Sequence, residues 1–159
     1  MRKLLLALFF IPACTYSIEF SAVPMKQSYH MGEDIQVTLT IANDTDERVA
    51  VPIVMVCETF LYYNFSPEPR DSERVRLIAP IFDLQLSEEN ILWLFPGGKF
   101  RSMININDCY QLQKGSYSIS YALLMYQSIC DMCEKYYSMG WTVLNGVLQS
   151  NMFTIEIIE

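Results

Sequence analysis

Residues that carry most enzyme chemistry are scarce in this 159-residue chain, which holds one histidine, His30, and five cysteines. With a single imidazole, a serine or cysteine triad would have to assemble around His30, and no residue spacing argues for that. There is no H-E-x-x-H, no G-x-S-x-G, no glycine-rich phosphate loop and no EF-hand calcium pattern. Carboxylate pairs such as Asp44/Asp46 and Glu88/Glu89 sit in turn-like segments, where solvation accounts for them. The chain reads as a non-enzyme that needs no cofactor.

The sulfur-bearing residues are more informative. Cys130-Asp-Met-Cys133 has the spacing of a redox pair. A working pair needs a reactive thiolate at a helix N-terminus, normally in a βαβ fold, and nothing in the sequence suggests βαβ. Zinc knuckles bring two such pairs, and this chain has one. A structural disulfide is the simpler use. With Cys14 set aside, Cys57, Cys109, Cys130 and Cys133 permit three pairings. The simplest closes Cys130–Cys133 locally and ties Cys57 to Cys109 across the domain, a loop worth ~4 kcal/mol in the chain-entropy model. Met25, His30 and Met31 fall close together in a turn-rich segment, and thioether and imidazole ligands suit copper. That gives one alternative function, a periplasmic copper-handling protein. Nine methionines make such a cluster easy to meet by chance, and packing is their ordinary use. Asn43-Asp-Thr45 and Asn64-Phe-Ser66 match the glycan acceptor pattern, but two matches among seven asparagines decide little.

The elements that hold these residues are nearly all strands. Ile35, Val37, Leu39 and Ile41 recur at every second position, the period of a half-buried strand. Ile18, Phe20 and Ala22 alternate in the same way up to Pro24. Further strand segments are Val49 to Val56, with Pro52 marking an edge or bulge, Thr59 to Phe65, Val75 to Leu86, and Ile91 to Phe95. Pro96-Gly97-Gly98 is a strong turn. Strands resume at Phe100 to Ile106, Tyr117 to Leu123 and Met152 to Ile157. Short strands with turns every ~8–12 residues predict an antiparallel β-sandwich of about seven to nine strands, all-β in class. Ser128 to Ser138 is the one weakly helical stretch.

Arg2 and Lys3, the apolar run Leu4 to Ile11, Pro12 and the small residues after it have the layout of a secretory signal peptide. The domain then covers residues 18–159, and the location is extracytoplasmic: periplasmic, secreted or lipid-anchored. Cleavage after Ser17 is the ordinary outcome; a cut before Cys14 would lipidate that cysteine and supply the only membrane contact. Eight apolar residues are too few to span a bilayer as a helix. Hydrophobic residues make up 52% and charged residues 18%, which excludes intrinsic disorder. Removing Arg2 and Lys3 leaves 9 basic against 18 acidic residues, a net charge of −9, so nucleic acid is excluded as a partner.

Pro96-Gly97-Gly98, then Tyr110-Gln-Leu112-Gln-Lys-Gly115-Ser-Tyr117, then Gly146-Val-Leu148-Gln-Ser150-Asn151 with Phe153, Ile155 and Ile157, together resemble the closing half of secreted bacterial-type immunoglobulin-like domains. The likeness covers about two thirds of the chain and implies a Greek-key sandwich, with almost nothing about function. A tyrosine just before such a glycine-turned strand can bond back to the chain and pin a corner, and Tyr110 is the first candidate for it, Tyr117 the second. The segment from Gln127 to Asn145 departs from the shared pattern.

That departure is where function is expected. Tyr126, Tyr136, Tyr137, Met139 and Trp141 are of the types found at binding hot spots, and loops at the end of a sandwich recognise partners. The competing expectation is that they pack as a lid over the sandwich. The sequence therefore points to a non-catalytic binding or structural module of the envelope or secretome that contacts a protein partner through residues 126–141. A module that inhibits or assists a secreted protease is a further alternative, resting on fold analogy alone.

Overall fold

The alternation in Ile35 to Ile41 becomes the centre of a three-stranded sheet. The structure is a computed structural model and describes residues 17–52, 62–63, 75–77, 91–125, 130–144 and 146–159; of residues 62–63, 75–77, 124–125 and 130–133 only the backbone is described. Among them run β1 (Ile18–Pro24), β2 (Ser28–His30), β3 (Gln36–Asn43), β4 (Val49–Pro52), β5 (Tyr62–Tyr63), β6 (Val75–Leu77) and β7 (Ile91–Leu94). They are followed by β8 (Lys99–Asn105), β9 (Tyr110–Leu112), β10 (Gly115–Ser120), β11 (Ala122–Met125), helix α1 (Cys130–Ser138), β12 (Thr142–Val143), β13 (Gly146–Gln149) and β14 (Phe153–Ile158). The all-β expectation holds, and α1 falls within the weakly helical stretch.

Two sheets carry the core. One has the order β1-β3-β8, antiparallel throughout, with Ile41 opposite Phe20 on one side and Phe100 on the other. The second has the order β2-β14-β10-β5. Their apolar faces meet in one buried cluster that includes Phe20, Val37, Leu39 and Ile41 from the first sheet and Tyr29, Tyr117, Ile119, Ile155 and Ile157 from the second. Each fully buried aliphatic side chain there contributes ~1.5–3 kcal/mol. Smaller ladders complete the fold: β11 with β13, β6 with β9, and β12-β4-β7. Two pairings are parallel, β2 with β14 and β12 with β4.

Polar side chains fasten the joints. Tyr117, the second candidate, makes a corner bond: its hydroxyl donates to the Gln113 carbonyl at 2.6 Å, four residues back. Tyr110 is a core residue. A phenol must sit on the strand beyond the turn to reach back over it, which favours the residue after Gly115 over the one before. Asn43 is fully buried and reaches in both directions. Its Nδ2 donates to the carbonyls of Glu47 (2.8 Å), Leu94 (3.1 Å) and Phe95 (3.1 Å), and its Oδ1 accepts from Thr45 N and Oγ1. With that amide committed inside the fold, Asn43 is no glycan site in the native protein; Asn64 lies outside the described residues. Next to it, Gly98 N–H closes the turn onto Phe95 O at 2.8 Å, with Gly97 at φ +70° where a side chain would be strained. A Cβ at Gly98 would meet Phe95 O at 2.8 Å, so this position has no room for one.

Candidate functional site

The segment after β11 folds against the small β12-β4-β7 ladder. Helix α1 ends at Gly140, whose φ of +78° suits the left-handed position after a helix. Gly140 N–H donates to Tyr137 O and Trp141 N–H to Tyr136 O, both at 3.0 Å, the paired bonds of a Schellman stop. The stop turns the chain so that Trp141 comes back beside Tyr136. The next two residues run alongside β4, with Thr142 N–H on Arg48 O (2.8 Å) and Leu144 N–H on Ala50 O (3.0 Å). Thr142 Oγ1 also donates to Glu47 Oε2 at 2.7 Å.

This arrangement assembles an aromatic cluster. Trp93 meets Tyr136 and Trp141 edge-on, each at 4.7 Å between ring centres, and Phe95 meets Trp141 at 5.2 Å. Such contacts add ~0.5–1.5 kcal/mol each beyond burial. Ala50, Ile91, Tyr136 and Val143 form a second small core beneath, with Trp93 and Trp141 packed on it. The Arg48 guanidinium lies 5.7 Å from the Phe95 ring centre and 5.9 Å from that of Trp141. Beside it, an open groove of about 480 Å³ is lined by Asp46, Glu47, Arg48, Tyr137, Gly140, Trp141 and Thr142.

The expected binding residues therefore divide. Tyr136 is 5% exposed and is removed from the contact set, because it pins α1 to the ladder. Trp141 is half-buried, one side packed and one side on the groove. Tyr137 and Met139 are 56% and 58% exposed. Tyr126 lies outside the described residues. Helical neighbours point about 100° apart, so Tyr136 packs on the ladder while Tyr137 stays mostly exposed, with only its hydroxyl reaching Val143 O at 3.4 Å. Arg48 and Phe95 were missed by the sequence reading, where Asp44 to Arg48 is a solvated turn and Phe95 the end of a strand. The only local signal was a lone arginine closing an acidic run.

The other candidates belong to other segments of the chain. Met25, His30 and Met31 are all exposed. Met25 N–H bonds Gln36 O at the end of the first sheet, whereas Met31 N–H bonds Ile158 O on the second. His30 Nδ1 is within hydrogen-bond reach of the Glu159 main-chain oxygen. Glu33 Oε2 accepts from His30 N at 3.0 Å, and Glu33 also pairs with Lys26. The Lys26 hydrogen bond, then that of the His30 backbone, holds the Glu33 carboxyl below its usual range, and Glu33 raises Lys26 in return. Among the described residues no group of three or more His, Cys, Asp or Glu is placed to hold a metal ion. Cys109 is buried and disulfide-bonded, and its partner is not among the described side chains. Cys130 and Cys133 occupy the first turn of α1, with side chains outside the description; Cys14 and Cys57 lie outside the described residues altogether. No described helix is long and apolar enough to cross a membrane.

No family model matches the chain, and no curated protein matches it either.

Proposed function

We propose that the protein is a non-catalytic, extracytoplasmic binding module built on an immunoglobulin-like Greek-key sandwich, and that it contacts a protein partner with the face formed by Phe95, Arg48, Trp141, Tyr137 and Met139. The observation that carries this reading is the exposure of Phe95, which meets half-buried Trp141 ring to ring, and of Tyr137, which shares its groove, with exposed Met139 two residues before Trp141 in sequence. Aromatic residues, methionine and arginine are the types enriched at interfaces, and a rigid underside lowers the entropy cost of presenting them. The sandwich assignment is supported by the split of the N-terminal segment between two sheets, with β1 on β3 and β2 parallel to β14, and by the Tyr117 corner. The location is supported by the signal-like residues 1–17 and by the Cys109 disulfide, since disulfides persist in oxidising compartments.

The test is site-specific photocrosslinking in native envelope or secreted extracts. A crosslinker at position 139 should give a discrete adduct with another protein or a second copy, a crosslinker at exposed position 103 should not, and Tyr137→Ala should abolish the adduct without lowering the melting temperature. Equal labelling from both positions, or no adduct from position 139, would remove this face as the contact site.

A further inference from the structure

The face carries two charges with no ion-pair partner among the described residues. Asp46 and Arg48 are exposed, lie two residues apart on one turn, and line the same groove. Among the described residues no carboxylate lies within ion-pair distance of Arg48, and no cation within that distance of Asp46. The neighbouring Glu47 is engaged by Thr142. An acidic ligand drawn to Arg48 would meet Asp46, and a basic ligand drawn to Asp46 would meet Arg48. A surface offering both signs at the same spacing satisfies both, and a two-fold axis through the face supplies one, since each residue then meets its counterpart's partner.

We infer that this face binds a second copy of this chain in an isologous dimer, with Arg48 of each protomer paired to Asp46 of the other and the exposed rings of Phe95 and Tyr137 and the thioether of Met139 closing against one another. The inference rests on the proposal that the face is a protein-contact surface, and names its occupant. The apolar centre is small. Three side chains, each a little over half exposed, give a patch at the low end of ~300–600 Å², against ~800 Å² per partner in standard interfaces. A patch this small points to a weak dimer, formed only at high protein concentration.

Sedimentation velocity on the purified protein from about 1 µM to about 1 mM tests it. The native chain should show concentration-dependent dimer. Because each single substitution alters two symmetry-related pairs, Arg48→Asp and Asp46→Arg should each weaken association ~10-fold or more, and the double swap should restore it to within ~3-fold. Melting curves check that the variants fold; if Arg48→Asp does not, Arg48→Gln and Asp46→Asn test the same pair by its loss. A monomer at 1 mM, a dimer indifferent to the single swaps, or a double swap that fails to restore association overturns the inference. The proposed function fails on different data: a monomer that still gives the position-139 adduct with another protein keeps the face and loses only the second copy.

Discussion

Replacing Asn43 with alanine should be among the most damaging polar-to-small changes in the described chain. The side chain is fully buried and makes three donor and two acceptor contacts, joining the end of β3 to the β7–β8 turn. Its bond to Leu94 O is wholly buried, so removing it strands an acceptor at ~1–3 kcal/mol. The other four lie nearer the surface, where water replaces them in part, at ~0.5 kcal/mol each. The total is ~3–5 kcal/mol. With a urea m-value of about 2 kcal/mol/M, the midpoint should fall by about 1.5–2.5 M with m unchanged. Asn43→Asp should be worse at neutral pH, because a carboxylate would face three carbonyl oxygens. Burial and those oxygens raise its folded pKa above the unfolded value, so it is tolerated in acid and loses stability as pH rises through the folded pKa. A loss under ~0.5 kcal/mol for Asn43→Ala would show that the amide is not a structural joint. So would an Asn43→Asp deficit that does not grow with pH.

Tyr117→Phe removes only the corner bond to Gln113 and should cost ~1–1.5 kcal/mol in equilibrium unfolding, against a neutral result if the hydroxyl is incidental. Tyr136→Ala should cost ~3–5 kcal/mol, whereas the adjacent Tyr137→Ala should stay within ~0.5 kcal/mol. Comparable losses for the pair would contradict the inward–outward split. Glu33 should titrate below ordinary glutamates by carboxyl-detected NMR, and Lys26→Met should return it upward. Since its folded pKa is lowered, whatever stability it lends is present at neutral pH and lost as pH falls through that lowered value. Non-reducing peptide mapping should join Cys109 to Cys57; a link to Cys130 or Cys133 would replace the long-range staple with a clamp on the first turn of α1.

Period-two alternation made the central strands legible, because β3 and β14 each bury one face and expose the other. The Pro96-Gly97-Gly98 turn was legible for an equally local reason, the left-handed φ at Gly97. The parallel pairings were not, because neither β2 nor β12 carries a pattern that names its distant partner. The site was half legible. Tyr137, Met139 and Trp141 drew notice by type, but Arg48 and Phe95 reach them only through the β12–β4 pairing and the β7 ladder, contacts spanning about half the chain. Two tyrosines flank the same glycine, and composition alone does not rank them; the second-ranked, Tyr117, carries the bond to Gln113.

The ends of this domain are sewn together. Asn151 lays its amide along β1, accepting from Ala22 N at 2.8 Å and donating to Ala22 O at 3.0 Å, across 129 positions of sequence. Its side chain thereby plays the part of a neighbouring strand. A few residues on, β14 takes β2 as a parallel neighbour. Of the early strands, β2 has no ladder among the described residues until β14 is in place, and the loop-closure entropy of that long span is spent before the contact is gained. Such a topology lets β1 and β3 pair early while the second sheet stays incomplete until its last strand arrives. The same wiring makes truncation unforgiving, for losing β14 strips β2 of its neighbour and opens an edge of β10 to whatever strand is nearby.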